Sequence, residues 1–300
     1  FSLLLACSAP LSLSDNTRAP TSTEDTAIFQ VEEGVTEGTY EIELSTEMMC
    51  DGEFISPQAA DQVVRLTELS EHETVYTIYE RIDSIGELFE TCRDPWGMFP
   101  TTYRHITARI IQAIEEREIE DHQWAEDIVI DFASRYMLNL QQVLTGEKAS
   151  YAWEHYYYLA DNPQASRTRA VLIAMVAHLT LDLPYSLVAI ETTEEQKDDY
   201  FVLGELMIEI TPNFIEDLKV YYNTDAEDIL NGFFIGEWVD GVFGYDATIT
   251  LSYQTIRTKS WNNRWYLEQP WGSWIAESEI YTAFWTIDGI LASLDASGAI

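Results

Sequence analysis

The chain has 300 residues, enough for one large domain or two small ones with a proper hydrophobic core. An aromatic content of 13% excludes an intrinsically disordered protein. Acidic residues number 52 against 16 basic ones, and the resulting net charge of −36 excludes nucleic acid and anionic lipid as partners of the folded domain. An acidic, lysine-poor surface also suits a high-salt environment, where screening weakens the self-repulsion of the charges.

The first ten residues, FSLLLACSAP, resemble the end of a secretory signal. The residues LLAC that end at Cys7 are similar to a lipoprotein cleavage box, in which Cys7 becomes the lipidated residue; the alternative is an ordinary cleaved signal with Cys7 incidental. The following segment, rich in Ser, Thr, Pro and Asp, predicts a flexible tether. We therefore expect residues 1–27 to be a signal remnant and tether. The protein would lie outside the cytoplasm at the cell envelope, meeting the membrane only through the lipid anchor.

Residues 28–55 contain the clearest strand pattern in the chain. Tyr40, Ile42 and Leu44 alternate with polar residues, which is the period of a half-buried strand. The run is short and has no long partner strand in the sequence. It predicts a small hairpin or edge strand appended to a helical domain.

Two cysteines besides Cys7 lie near the boundary between these regions. Cys50 ends the strand-containing segment and Cys92 follows a predicted helix. In an oxidising compartment they could form a disulfide that ties the N-terminal segment to the helical body. Two buried free thiols are the alternative.

From residue 56 to residue 300 the apolar residues recur with a helical period. Helices are predicted at 57–70, 74–90, 101–118, from Asp121 to Gly146, 148–160, 167–190 with its start at 161–163, 194–222 with a break at Thr211-Pro212, 225–240, 245–268 and 275–295. A loop with two prolines and a glycine separates the second helix from the third. We therefore predict an all-α, orthogonally packed multi-helix bundle with a small N-terminal β element, because alternating strand and helix patterns are absent.

The run at 167–190, RTRAVLIAMVAHLTLDLPYSLVAI, is the most apolar helix and carries His178 and Asp182 in its middle. These two residues lie four apart and so share one helix face. Such a pair can ligate a metal ion, or the carboxylate can orient the imidazole. The alternative is a core histidine whose ring nitrogen is satisfied by the aspartate. The polar residues leave an apolar run that we expect to be too short to cross a bilayer.

No complete catalytic motif accompanies this pair. His155, beside Trp153, and His105, near Tyr103, are the histidines that a helical bundle could bring close to His178. A binding or structural module of unknown activity is therefore the first expectation for the helical domain, with a small molecule or protein as its partner. The alternative is a metal-dependent hydrolase in which zinc or iron is held by His178, Asp182 and one of the other two histidines.

Six blocks between residues 79 and 269 resemble a bacterial family, domain-of-unknown-function family 5995. They are RIDSI (81–85), DPWGMFPTTYRHIT (94–107), DFASRYMLNL (131–140), AWEHYYYLA (152–160), AHLTLDLPYSL (177–187) and IRTKSWNNRWYL (256–267). The resemblance implies a helical fold and supports the His178/Asp182 block, but it implies no reaction. Family members often carry Asn where Val176 and Thr180 stand here.

The apolar helix around Asp182 predicts that its carboxylate is buried, and burial leads to a further prediction. A buried carboxylate without a partner is costly, so it should be held by the imidazole of His178 or by an arginine. Arg167, Arg257 and Arg264 are the candidates, and we expect Arg257, one helical turn before Trp261 in the last of the six blocks, to be that arginine.

Overall fold

Secondary structure is mostly helical in residues 49–224, 226–235 and 252–300, the parts of the chain that our computed structural model describes. Cys7 and the predicted strand at 40–44 lie outside these ranges. Two short strands, β1 (Cys50–Asp51) and β2 (Phe54–Ile55), pair antiparallel, with Cys50 opposite Ile55. Their turn contains Gly52 with a φ of 67°, a conformation that glycine adopts without strain. They end the segment for which the pattern predicts a small hairpin.

Helices make up the rest of the described chain, and the prediction of an all-α bundle is confirmed. In chain order they are α1 (Pro57–Thr67), α2 (Val75–Cys92), α3 (Met98–Glu115), α4 (His122–Leu144), α5 (Tyr151–Asp161), α6 (Arg167–Ala177), α7 (Leu183–Ala189), α8 (Lys197–Glu209), α9 (Thr211–Tyr222), α10 (Glu227–Ile235), α11 (Tyr253–Glu268) and α12 (Ser273–Ser297). A π turn at His178–Asp182 joins α6 to α7, and short 3₁₀ turns precede α3 and α8.

Local sequence accounts for where the first helices start. Ser56 accepts a hydrogen bond from the N–H of Ala59, and Pro57 occupies the first turn, where a missing N–H costs nothing. Thr74 and Thr77 form a reciprocal capping box at the start of α2. The apolar stripe that predicts α2 is buried along its whole length.

Several predicted helix bounds differ from the structure by a few residues, and two of the differences have a clear local cause. Helix α3 begins at Met98 and includes Pro100, because a proline is tolerated in the first turn of a helix. The central helix begins after Ser166, whose hydroxyl accepts from the N–H of Arg169, and not at residues 161–163. The predicted break at Thr211-Pro212 is confirmed, since α8 ends at Glu209 and α9 starts at Thr211.

The run formed by α6, the π turn and α7 lies at the centre of the bundle. Helices α3, α5 and α12 pack on α6, while α4 and α11 pack on the π turn and α7. By length and composition the helical run Arg167–Ala189 could cross a membrane, contrary to the expectation that it is too short. Within the fold, 83% of its most apolar window is buried, so this run is weak evidence for a membrane span.

A disulfide between Cys50 and Cys92 ties the β hairpin to the end of α2. The same corner is held by Asp94, whose carboxylate accepts from the N–H of Ile55 and from the N–H of Trp96. The N-terminal hairpin is therefore attached to the helical body by a covalent bond as well as by hydrogen bonds.

Candidate functional site

The centre of the bundle contains a π turn, which is rare in proteins. The N–H of Leu183 donates to the carbonyl of His178, five residues earlier rather than four. Pro184 accounts for the wider turn, because proline has no N–H to donate and its ring clashes with the carbonyl four residues before it. Single π turns inside α-helices frequently occur at functional sites. The side chains of the π turn are therefore candidates for a functional site.

His178 and Asp182 form a buried hydrogen-bonded dyad in this turn. The Nδ1 atom of His178 lies 2.9 Å from Oδ2 of Asp182, and both side chains are about 5% exposed. The indole Nε1–H of Trp153 donates to the same carboxylate oxygen at 2.9 Å. The carboxylate is thus satisfied by an imidazole from its own turn and an indole from α5.

Aromatic rings enclose the imidazole of His178. The ring of Phe132 stacks on it with a centroid distance of 3.4 Å, and the rings of Phe99, Tyr103 and Trp153 meet it edge-on at 5.2, 4.9 and 5.9 Å. No hydrogen-bond partner for Nε2 is present among the described residues. The structure therefore brings four of the predicted site residues together, namely His178, Asp182, Trp153 and Tyr103.

Burial sets the protonation state of this histidine. Removal from water lowers the pKa of His178 below its ordinary value and outweighs the hydrogen bond and the charge of Asp182, which raise it. We infer a neutral imidazole whose Nδ1–H donates to Asp182 and whose Nε2 carries a lone pair.

This assignment predicts how stability depends on pH. The unfolded chain binds a proton at His178 as the pH falls below about 6.5, whereas the folded chain resists it, so stability falls with decreasing pH in that window. We expect a slope of up to about 1.4 kcal/mol per pH unit from this one group. Between about pH 7 and pH 5, the unfolding free energy of wild type should fall more steeply with decreasing pH than that of His178→Gln. The exposed His72→Gln variant should keep the wild-type slope; parallel wild-type and His178→Gln curves would contradict the assignment.

His155 does not join the dyad, contrary to the expectation that the bundle brings it close to His178. It lies two residues after Trp153, and residues two apart on a helix point to different faces. Its Nε2 atom lies 3.0 Å from Oδ2 of Asp288 on α12, and Asp288 also accepts from Arg169 at 2.7 Å. His155 belongs to this ion-pair cluster.

His105 lies apart from the dyad for the same reason, since it is two residues after Tyr103 on α3. Its Nε2 atom lies 2.7 Å from Oδ2 of Asp217, which Arg104 also contacts at 2.7 Å. Neither histidine therefore completes a metal site with His178 and Asp182. In the ranges that the structure describes, no three His, Cys, Asp or Glu side chains converge as metal ligands.

Arg257 does not bind Asp182, so this prediction is wrong. Its guanidinium is buried over the ring of Tyr200, 4.1 Å from the centroid, and beside the ring of Tyr253. Its Nη2–H donates to the carbonyl of Tyr200. A Cβ at Gly204 would collide with Nη1, so Arg257 packs against α8 at a position where only glycine leaves room. Sequence spacing cannot show which neighbouring helix an arginine meets.

Trp261 packs against Tyr200, the same ring that Arg257 covers. Its ring packs against Tyr200 at 4.8 Å and under the guanidinium of Arg264 at 4.1 Å. Arg264 donates to groups between α7 and α8, and Arg167 donates to the carbonyl of Tyr222. In the described part of the chain, Asp182 is thus held by an imidazole and an indole and not by an arginine.

Sequence reasoning missed a cleft on the other side of the π turn. It lies between α11 and α12, has a volume of about 490 Å³, and includes Thr180 of the π turn in its lining. The Oγ of Ser260 donates to the carbonyl of Leu179, which joins α11 to the turn. The π turn therefore presents its dyad to the aromatic core and Thr180 to the cleft.

The cleft has apolar walls and one polar cluster. Ile256 and Ile287 line it from opposite helices. Glu279 of α12 accepts from Nζ of Lys259 and from Nδ2 of Asn263, each at 2.6 Å. Both donors come from the block IRTKSWNNRWYL. The sequence shows this block of residues. It does not show that the Lys and the Asn bind a glutamate on the next helix, because that contact depends on how the two helices pack.

Comparison with known proteins adds a family and no activity. A family described as a family of unknown function (DUF5995) matches residues 75–277. No curated protein and no solved structure matches the chain significantly. The match covers more than half of the chain and includes the π turn, the dyad and about half of the residues that line the cleft, with Glu279 just beyond its end. The chain belongs to the DUF5995 family of unknown function.

Proposed function

We propose that the helical domain is a binding module that holds a small molecule in the cleft between α11 and α12. The observation that carries this proposal is the cleft itself, with a volume of about 490 Å³ and a Lys259–Glu279–Asn263 cluster set among apolar walls. Ligand sites in proteins are typically concave, mostly apolar and equipped with a few polar groups that orient the ligand.

The buried dyad supports this role as a structural element beneath the cleft. Its hydrogen bonds to Trp153 and within the π turn hold the backbone that carries Thr180. A binding surface is more precise when a packed and hydrogen-bonded layer holds it in place. Because the dyad faces the aromatic core and lacks a third ligand among the described residues, its geometry favours support of the cleft over metal-dependent hydrolysis.

We further propose that the domain works outside the cytoplasm, at the cell envelope, tethered by lipid on Cys7. The Cys50–Cys92 disulfide supports an oxidising compartment. The net charge of −36 argues against nucleic acid and anionic lipid as ligands, so membrane contact would come through the anchor.

In a bacterial host that lipidates its envelope proteins, Cys7→Ala should move the protein from the membrane fraction to the soluble fraction; unchanged fractionation would refute the anchor.

Screening of a fragment library by ligand-observed NMR tests the cleft. Fragments that bind the wild type should lose binding when Ala283→Trp fills the cleft from α12. The matched control is Ala296→Trp, which adds the same side chain at an exposed position of the same helix. The proposal fails if no fragment binds, or if the fragments bind both variants equally well.

A further inference from the structure

Charge balance in the cleft restricts its ligand. Lys259 and Glu279 are the charged residues among the described lining, and they pair at 2.6 Å. The cleft therefore has no net charge to complement an anion or a cation, although the protein as a whole carries −36. A ligand that fits this balance is electrically neutral.

Polar groups in the cleft suit a ligand with many hydroxyls. Each carboxylate oxygen of Glu279 accepts one hydrogen bond and keeps a further lone pair, and the ammonium of Lys259 has donors beyond the one it uses. Ser278, Thr282 and Thr286 lie four residues apart on α12, so their exposed hydroxyls form one stripe along the cleft. Hydrogen-bond donors and acceptors of the cleft therefore lie close together. Neighbouring hydroxyls of a ligand need both kinds of partner.

An exposed indole lies at the rim of the same cleft. Trp274 is 66% exposed and lines the cleft at the start of α12. A bare aromatic face in water is a stacking surface for a ring with an apolar face, and this one lies where a ligand in the cleft would meet it. Pyranose rings combine such a face of C–H groups with hydroxyls around the edge.

We propose that the cleft binds a neutral carbohydrate, with Trp274 stacking on one sugar ring and the Lys259–Glu279–Asn263 cluster bonding its hydroxyls. This inference rests on the proposed function of the cleft and names its ligand class. The cleft volume of about 490 Å³ lies in the range of sites for drug-sized ligands and exceeds what one sugar ring fills, so the ligand is an oligosaccharide rather than a single sugar.

The test is calorimetric titration with cellohexaose, N-acetylchitohexaose and maltohexaose, alongside glucose and N-acetylglucosamine. At least one hexasaccharide should bind with a Kd of about 1 mM or tighter, and its monosaccharide should bind at least about tenfold more weakly. Trp274→Ala should weaken hexasaccharide binding at least about tenfold, and Trp274→Phe should restore part of it. Tyr158→Ala removes an aromatic side chain of similar exposure on α5 and should leave the affinity unchanged.

The fragment screen distinguishes failure of carbohydrate binding from failure of the cleft to bind any small molecule. If fragments bind in the cleft while no hexasaccharide binds, the carbohydrate inference is overturned and the binding function stands. If neither binds, both fall. Hexasaccharide binding that survives both Trp274→Ala and Ala283→Trp would place the sugar elsewhere and overturn the inference.

Discussion

Replacement of Asp182 by alanine should lower the free energy of unfolding by roughly 3–5 kcal/mol, the cost of breaking a buried hydrogen-bonded pair. The carboxylate accepts from Nδ1 of His178 and from Nε1 of Trp153, both at 2.9 Å and both buried. Its removal leaves two buried N–H groups without acceptors, and each unsatisfied group carries its full desolvation penalty. Chemical denaturation followed by far-UV circular dichroism measures the loss.

Two variants calibrate this result. Asp182→Asn keeps an amide oxygen that can accept one of the two hydrogen bonds, so its loss should be smaller than that of Asp182→Ala. Asp61→Ala removes a carboxylate from the exposed face of α1 and should stay within about 0.5 kcal/mol of wild type. An Asp182→Ala protein that unfolds within about 1 kcal/mol of wild type would show that the dyad contributes little to the packing of the π turn.

Reduction of the Cys50–Cys92 disulfide should lower the free energy of unfolding by roughly 3–4 kcal/mol. The two cysteines are 42 residues apart, and the bond closes a loop that contains the β hairpin, α1 and α2. Without the bond the unfolded chain gains the conformational freedom of that loop, which favours unfolding. Denaturation midpoints with and without dithiothreitol give the difference.

The Cys50→Ser/Cys92→Ser double variant provides the control for reduction. It should match the reduced wild type in stability and should not respond to dithiothreitol. Equal stability of oxidised and reduced wild type would mean that the hairpin and α1 are held mainly by the hydrogen bonds of Asp94 and by packing. Capture of free Cys50 and Cys92 thiols with an alkylating reagent on protein taken directly from cells would contradict an oxidising compartment.

Local sequence determined the helices and the pair at the centre of the bundle. The stripe along α2 and the break at Thr211-Pro212 follow from periodicity and from the chemistry of proline, and both depend only on nearby residues. The contact between His178 and Asp182 could also be predicted, since it depends on a spacing of four within one helical run.

Contacts between helices were decided by the tertiary structure. Trp153 reaches Asp182 while His155, two residues later, reaches Asp288, because the rotation of α5 against its neighbours sets the direction of each side chain. Arg257 meets α8 at Gly204 instead of the dyad for a similar reason. The cleft depends most on packing, because Glu279 and its two donors lie on different helices that the sequence does not align. Helical periodicity shows which side of a helix is buried, and only the packed fold shows which residues of another helix it meets.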